Sequence, residues 1–170
     1  MDLKKHIRSI PDFPKKGILF KDITTLLKNK EAFKKSIDDL ARILKNKKID
    51  YIVAAESRGF IFAGALSYKL GCGFIPVRKP GKLPYKTYRH TYSLEYGNDS
   101  LEIHQDAFPK KSRVLILDDL LATGGTALAL ISLAEKLNAN IVGVVFLIEL
   151  TGLSGKNKLK KYPVYSLLKF

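Results

Sequence analysis

The sequence predicts an α/β fold in which a parallel sheet is covered by helices. Two candidate strands, residues 114–117 ("VLIL") and 141–148 ("IVGVVFLI"), are apolar at consecutive positions. Strands of this kind are buried on both faces, which is typical of a parallel sheet between helices. Segments with apolar residues at helical spacing alternate with these strands. A chain of 170 residues is long enough for one core and does not require a second, so we predict a single domain over residues 1–170.

The predicted elements follow each other in a regular order. Phe33, Ile37, Leu40 and Leu44 recur at helical spacing and predict an amphipathic helix over residues 31–46. After it we predict, in order, a strand over 50–55, a turn and helix over 57–71, a strand over 74–78, a strand over 113–119, a helix over 125–138, and strands over 140–150 and 163–168.

Residues 79–106 interrupt this alternation. The segment is rich in Gly, Pro, Tyr and charged residues, and two short alternating runs flank "YGND". We expect a long hairpin or lid that projects from the sheet. A long excursion inside a compact domain is usually functional or mobile.

Composition narrows the class of protein. The formal net charge is +14, but the lysines are interleaved with acidic residues or with helix-period apolar residues. That distribution favours a solvated surface or an anionic small substrate over nucleic acid. No apolar run is long enough to cross a bilayer and the first residues lack a signal-peptide core, so we expect a cytoplasmic protein with no membrane partner. Cys72 is interpreted as a packing residue, and the three histidines show no metal-ligand spacing.

Residues 114–127, "VLILDDLLATGGTA", contain the most informative motif. Asp118 and Asp119 stand at the carboxyl end of a strand, where ligands bind in open parallel sheets. The next residues supply two glycines, two threonines and a helix start, which suit a phosphate. Two carboxylates would repel a phosphate unless its ligand also presents hydroxyl groups or a divalent cation lies between. Ribose 5-phosphate combines phosphate and hydroxyls. A plain strand-to-helix turn with an Asp cap is the alternative, and it explains only part of the motif.

This stretch resembles the phosphoribosyl diphosphate (PRPP) binding motif of type I phosphoribosyltransferases, and "DDLLATGGT" is closest to the adenine-specific members. The resemblance implies the fold of that family, with an N-terminal hood over about residues 1–30 and a lid over about 79–106. It implies that Asp118 and Asp119, the acidic pair, meet the ribose hydroxyls. The 5-phosphate would lie in a loop that we call the phosphate loop, formed by Ala122, Thr123, Gly124, Gly125 and Thr126.

A second strand-end turn, "AAESRGF", resembles the family's pyrophosphate loop. The resemblance implies that Glu56, Ser57 and Arg58 contact the pyrophosphate, with Arg58 also taking part in catalysis. Lys79 and Lys82 follow the next strand and could neutralise the same group, although a single lysine here could equally be a surface charge.

The lid and the hood also resemble the adenine-specific enzymes. "YSLEYG" carries Glu95, a candidate catalytic residue, and Tyr96, a lid residue. The hood segment "IPDFPKKGILFKDITTLL" is similar over residues 10–27, and the resemblance places the adenine between hood and sheet. The residues that it assigns to adenine are Leu19, Phe20, Lys21 and Leu150. By sequence alone Phe20 could also be a core aromatic. Lys21 departs from the arginine expected in several relatives.

The implied reaction converts adenine and PRPP into AMP and pyrophosphate. The resemblance also implies Mg²⁺ held mainly through PRPP, with no direct protein ligand, and a homodimer. Two other functions stay open. One is transfer to another base, such as guanine, hypoxanthine, xanthine or orotate. The other is a PRPP-sensing regulator that binds nucleic acid through its basic surface, although no recognition module supports it.

Overall fold

The computed structural model describes residues 1–94 and 97–170. The predicted catalytic residue Glu95 and the predicted lid residue Tyr96 therefore lie outside the described residues. Within the described part, no helix is both long and apolar enough to cross a membrane.

The described elements alternate along the chain. The strands are β1 (Arg8–Ile10), β2 (Phe20–Asp22), β3 (Tyr51–Ala55), β4 (Gly73–Val77), β5 (Thr87–Leu94), β6 (Gly97–His104), β7 (Arg113–Leu121), β8 (Asn140–Glu149) and β9 (Val164–Lys169). The helices are α1 (Thr24–Leu27), α2 (Lys30–Ile43), α3 (Arg58–Leu70) and α4 (Gly125–Lys136). Short 3₁₀ helices occupy Leu3–His6, Thr151–Leu153 and Gly155–Leu159.

The central sheet has five strands in the order β4-β3-β7-β8-β9. All four neighbouring pairs run parallel, which confirms the predicted parallel sheet. From β3 the chain first crosses to β4 on one side and later enters β7 on the other. The crevice between the carboxyl ends of β3 and β7 is therefore the topological switch point, where open α/β sheets bind ligands.

The strands of the sheet are buried on both faces, as their apolar runs predict. Val53 and Ile116 pack in a core with α4, whereas Ile52 and Leu115 pack in a second core with α2 and α3. Each such residue contributes about 1.5–3 kcal/mol of burial free energy. In β7 the strand continues to Leu121, beyond the predicted end at residue 119. The acidic pair therefore lies within β7, two residues before its end, rather than at its last two positions.

The 79–106 segment contains the antiparallel pair β5 and β6. It does not simply project from the sheet, because Leu101 and Ile103 of β6 are buried in the core beside α4. On β5, the His90 ring lies 2.9 Å from Ser132 Oγ of α4. The base of this hairpin is thus part of the packed domain.

The hood is a small unit in which β1 and β2 pair antiparallel. Its main polar contact is the carboxylate of Asp22, which accepts hydrogen bonds from Thr24 N at 2.9 Å and from Arg8 Nε at 3.0 Å. The Thr24 N–H and the Arg8 guanidinium lower the pKa of Asp22 to about 2. The carboxylate thus fastens the two strands and the start of α1 together.

We expect Asp22→Asn to lower the free energy of unfolding by about 1–3 kcal/mol at pH 7, because hydrogen bonds to a charged acceptor are lost. Since the pKa of Asp22 is lower in the folded protein than in the unfolded chain, its stabilisation is present above about pH 4 and is lost as pH falls toward 2. Urea unfolding followed by circular dichroism at pH 7, 5 and 3 measures this. The exposed Asp106→Asn is the control; equal stability of Asp22→Asn and wild type at pH 7 would contradict the prediction.

Candidate functional site

A cleft opens at the switch point between β3 and β7. Its volume is about 550 Å³, including its mouth. The lining residues are Arg58, Asp118, Asp119, Leu120, Leu121, Ala122, Thr123, Gly124, Gly125, Thr126, Ala127 and Phe146. The structure therefore brings the acidic pair, the whole phosphate loop and Arg58 to one site.

The acidic pair is poorly solvated. The pKa of Asp118 is raised well above its ordinary value, first by burial and second by the neighbouring charge of Asp119. Burial also raises the pKa of Asp119, while Arg58 opposes that shift. Arg58 Nε lies 2.9 Å from Asp119 Oδ2. The pair consequently favours partners that donate hydrogen bonds or carry positive charge.

The phosphate loop leads directly into α4. Gly124 is the residue before the helix and has φ +84°, a left-handed conformation that glycine adopts without strain. The first N–H groups of a helix have no partner within the helix, and its dipole favours an anion there. Thr123 and Thr126 also line the cleft, and the loop therefore presents N–H donors only a few residues from the acidic pair.

Arg58 also connects this cleft to the hood. Its guanidinium carbon lies 5.2 Å from the centroid of the Phe20 ring, within the range of a cation–π contact. Phe13 packs edge-on against the same ring at 5.1 Å. Phe20 is therefore a hood aromatic beside the cleft, and the alternative of a central core residue does not apply.

Two of the remaining predicted pyrophosphate residues, Glu56 and Lys79, belong to a second cluster of polar side chains. Glu56 Oε1 accepts a hydrogen bond from Lys79 N at 2.6 Å, and its Oε2 lies 3.2 Å from Arg78 Nη2. Burial opposes ionisation of Glu56, yet these two donors hold its pKa below the usual value. Lys79 Nζ forms an ion pair with Asp99 of β6. The predicted residue Ser57 precedes α3, and the Lys82 side chain is exposed.

The other predicted adenine residues take different positions. Leu19 is exposed over 51% of its surface. Lys21 is only 9% exposed, and its Nζ donates to Ser9 Oγ at 2.9 Å and lies 4.2 Å from the Phe170 ring. Leu150 is half-buried just after β8. Lys21 thus holds the hood against the end of the chain in this structure.

Three contacts in the site were not foreseen from the sequence. Asp99 pairs with Lys79 and also accepts a hydrogen bond from Tyr92 Oη at 3.2 Å. Gly155 packs its backbone directly on the phosphate loop. The signals were weak: Asp99 and Tyr92 lie in a segment whose strand register the sequence does not specify, and Gly155 lies some 30 residues from the loop it contacts.

The acidic pair fits a divalent cation that arrives with its ligand. In residues 1–94 and 97–170 there is no cluster of three or more His, Cys, Asp or Glu side chains that would hold a metal by itself. A cation near Asp118 and Asp119 would favour their ionised forms and so oppose their raised pKa values.

Comparisons with known proteins agree with this geometry. The family described as "Phosphoribosyl transferase domain" matches residues 23–169. An adenine phosphoribosyltransferase of Brachyspira hyodysenteriae is 61% identical over 170 residues, covering 100% of both chains. The crystal structure of adenine phosphoribosyltransferase from Thermoanaerobacter pseudethanolicus is 56% identical, has a TM-score of 0.97, and is matched over 99% of this chain and 98% of that one.

A third similar structure is the adenine phosphoribosyltransferase of Saccharomyces cerevisiae, complexed with an imino-altritol bisphosphate and adenine. It is 46% identical with a TM-score of 0.91, over 97% of this chain and 96% of that one. The chain therefore belongs to the phosphoribosyl transferase domain family and, within it, to the adenine phosphoribosyltransferases.

Proposed function

We propose that this protein transfers the phosphoribosyl group of PRPP to adenine, giving AMP and pyrophosphate. One observation carries the proposal: a single cleft joins the acidic pair and the phosphate loop to Arg58, and Arg58 in turn contacts Phe20 of the hood. These groups match the parts of the reaction, a sugar phosphate, an anionic leaving group and a planar base.

The sugar phosphate binds with its 5-phosphate in the phosphate loop and its ribose hydroxyls against the acidic pair. The N–H groups at the start of α4 and the threonine hydroxyls donate to the phosphate oxygens. Asp118 and Asp119 accept hydrogen bonds from the ribose hydroxyls, which compensates part of their desolvation. The two carboxylates thereby distinguish a ribose phosphate from a bare phosphate.

The diphosphate leaves toward residues 56–58. Arg58 is the cation nearest to the cleft, and we assign it to stabilising the negative charge that develops on the departing pyrophosphate. Glu56 orients Arg78 and the backbone of Lys79 through the hydrogen bonds described above, while Lys79 and Lys82 supply further positive charge. Mg²⁺ bound to PRPP would neutralise part of the diphosphate charge, and the carboxylates of the acidic pair would favour a cation beside the ribose.

Adenine binds between the hood and the sheet. Phe20 supplies an aromatic face beside Arg58, and Leu19 and Leu150 supply apolar walls. Backbone groups of the hood pair with the 6-amino group and N1, a pattern that hypoxanthine reverses, so the wrong base would leave buried polar groups unpaired. The yeast relative, whose structure contains adenine, supports this choice of base.

The lid residues Glu95 and Tyr96 stay predictions of the sequence. We assign Glu95 to the reacting base or ribose, where it assists proton transfer or stabilises positive charge; unchanged turnover of Glu95→Gln when chemistry limits the rate would exclude this role. A homodimer and a cytoplasmic location also stay predictions, and light scattering after gel filtration measures the first.

The purified protein is expected to form AMP from adenine, PRPP and Mg²⁺, and to form no nucleotide from guanine, hypoxanthine, xanthine or orotate. Product identified by chromatography is the measurement. A heat-inactivated sample is the control. Nucleotide formed with another base, and none with adenine, would overturn the proposal.

Asp118→Asn is expected to raise the stability of the protein and to lower its activity. Because burial and Asp119 raise the pKa of Asp118, the folded protein favours an uncharged group there, so the variant is expected to have a higher free energy of unfolding than the wild type at pH 7. The gain shrinks as pH falls and the native carboxyl becomes protonated.

The same variant loses a hydrogen bond between a charged acceptor and the ribose, so kcat/KM for PRPP falls about 10- to 100-fold. Steady-state kinetics and urea unfolding measure both effects, with Asp106→Asn as the exposed control. A variant that is less stable and fully active would contradict both parts.

Lys79→Ala is expected to raise KM for PRPP about tenfold, because one cation facing the diphosphate is removed. Lys86→Ala, an exposed lysine before β5, serves as the matched control. An equal KM for the two variants would show that Lys79 serves only the ion pair with Asp99.

A further inference from the structure

Gly155 lies against the phosphate loop although it comes about thirty residues later in the chain. It is buried at the start of the 3₁₀ helix Gly155–Leu159. A Cβ atom added at Gly155 would lie 2.2 Å from the carbonyl oxygen of Ala122, 3.0 Å from the amide nitrogen of Gly124 and 3.0 Å from the carbonyl carbon of Thr123. All three atoms belong to the backbone, so no side-chain rotation can relieve the overlap.

The approach is reciprocal. A Cβ atom on Gly124 would lie 3.0 Å from the carbonyl oxygen of Gly155. Two backbone segments therefore pack on each other with only hydrogen atoms between them, and the left-handed turn at Gly124 is formed against Gly155.

The segment that carries Gly155 is held firmly on both sides. Before it, Thr151 N and Thr151 Oγ1 both donate to the carbonyl oxygen of Phe170, at 2.9 and 2.8 Å. After it, the Leu159 side chain is 1% exposed and packs in the core with α4. Extra volume at Gly155 would therefore displace the phosphate loop more readily than this segment.

We propose that Gly155 is a positioning residue that sets the shape of the phosphate loop and hence the affinity for the 5-phosphate of PRPP. The inference rests on the proposed function, since it takes this loop as the phosphate site. The amides at Gly124 and Gly125 are oriented by the contact, and a shift of the loop by a fraction of an ångström turns them away from the phosphate oxygens. Small displacements of binding groups have large kinetic effects.

Gly155→Ala is expected to raise KM for PRPP and the Kd of ribose 5-phosphate by at least about tenfold, with KM for adenine changed by less than about threefold. Calorimetric titration with ribose 5-phosphate measures the affinity without any base or turnover. If the folded variant has the wild-type KM for PRPP and the wild-type Kd for ribose 5-phosphate, the proposal is overturned.

Two control variants separate positioning from general damage. Gly152→Ala lies in the same segment, where an added Cβ meets nothing within 4 Å, and should bind ribose 5-phosphate like the wild type. Gly73→Ala places a Cβ 2.6 Å from Tyr51 Cδ1 at the opposite end of the sheet, and should lose stability but keep KM for PRPP. A raised KM in Gly73→Ala would show that destabilisation alone produces the effect.

Gly155→Ala is also made in a second background that carries Ser154→Gly. Ser154 has φ +53°, a conformation that glycine adopts more readily, so this background is expected to be more stable. If Gly155→Ala folds in neither background, Gly155 serves folding and the proposal fails. Wild-type turnover of adenine is assayed in parallel. If the wild type binds ribose 5-phosphate but does not convert adenine, the proposed function is refuted. The ribose 5-phosphate affinities of wild type and Gly155→Ala would still test the role of Gly155.

Discussion

The placement of two adjacent carboxylates, one buried and one half-buried, beside Arg58 is the constraint on which the site depends. Asp118 and Asp119 lie near the carboxyl end of β7, where Asp118 is half-buried and Asp119 is buried, so neither is fully solvated. Arg58 offsets one charge through its ion pair with Asp119. Asp118 receives a hydrogen bond from Asp119 N at 2.9 Å, which only partly offsets the cost of its burial. In the proposed reaction, a ligand that brings hydroxyl donors and a cation would balance the remaining negative charge of the pair.

Sheet topology explains why the arginine and the acidic pair meet. Arg58 follows β3 and the acidic pair lies near the end of β7, two strands that are far apart in sequence and adjacent in the sheet. Gly59 also permits the close approach, since a Cβ there would lie 3.1 Å from Asp118 Oδ1. The apolar runs that place β3 and β7 side by side in the sheet therefore also bring Arg58 next to the acidic pair.

Much of this arrangement follows from local sequence. Consecutive apolar residues predict the buried strands, helical spacing predicts α2, and the "DDLLATGGT" stretch predicts the cleft. The predicted strand ends at Asp119, whereas the ladder with β8 continues for two more residues to Leu121, because Leu120 and Leu121 pair with Ile148 and Glu149. The register of β5 and β6, which puts Asp99 beside Lys79, depends on packing against α4 and has no local signal.

Lys21 has a structural role in the hood. Lys21 is buried, donates to Ser9 and lies over the Phe170 ring, and Phe170 is itself hydrogen-bonded to Thr151 beside Leu150. The ammonium group therefore joins the hood to the segment that carries the opposite wall of the base site. A compact ammonium suits that enclosed position, whereas the planar guanidinium of arginine would require more room and more acceptors. In the proposed adenine site, Phe20 and the hood backbone would contact the base, and Lys21 would hold them in position.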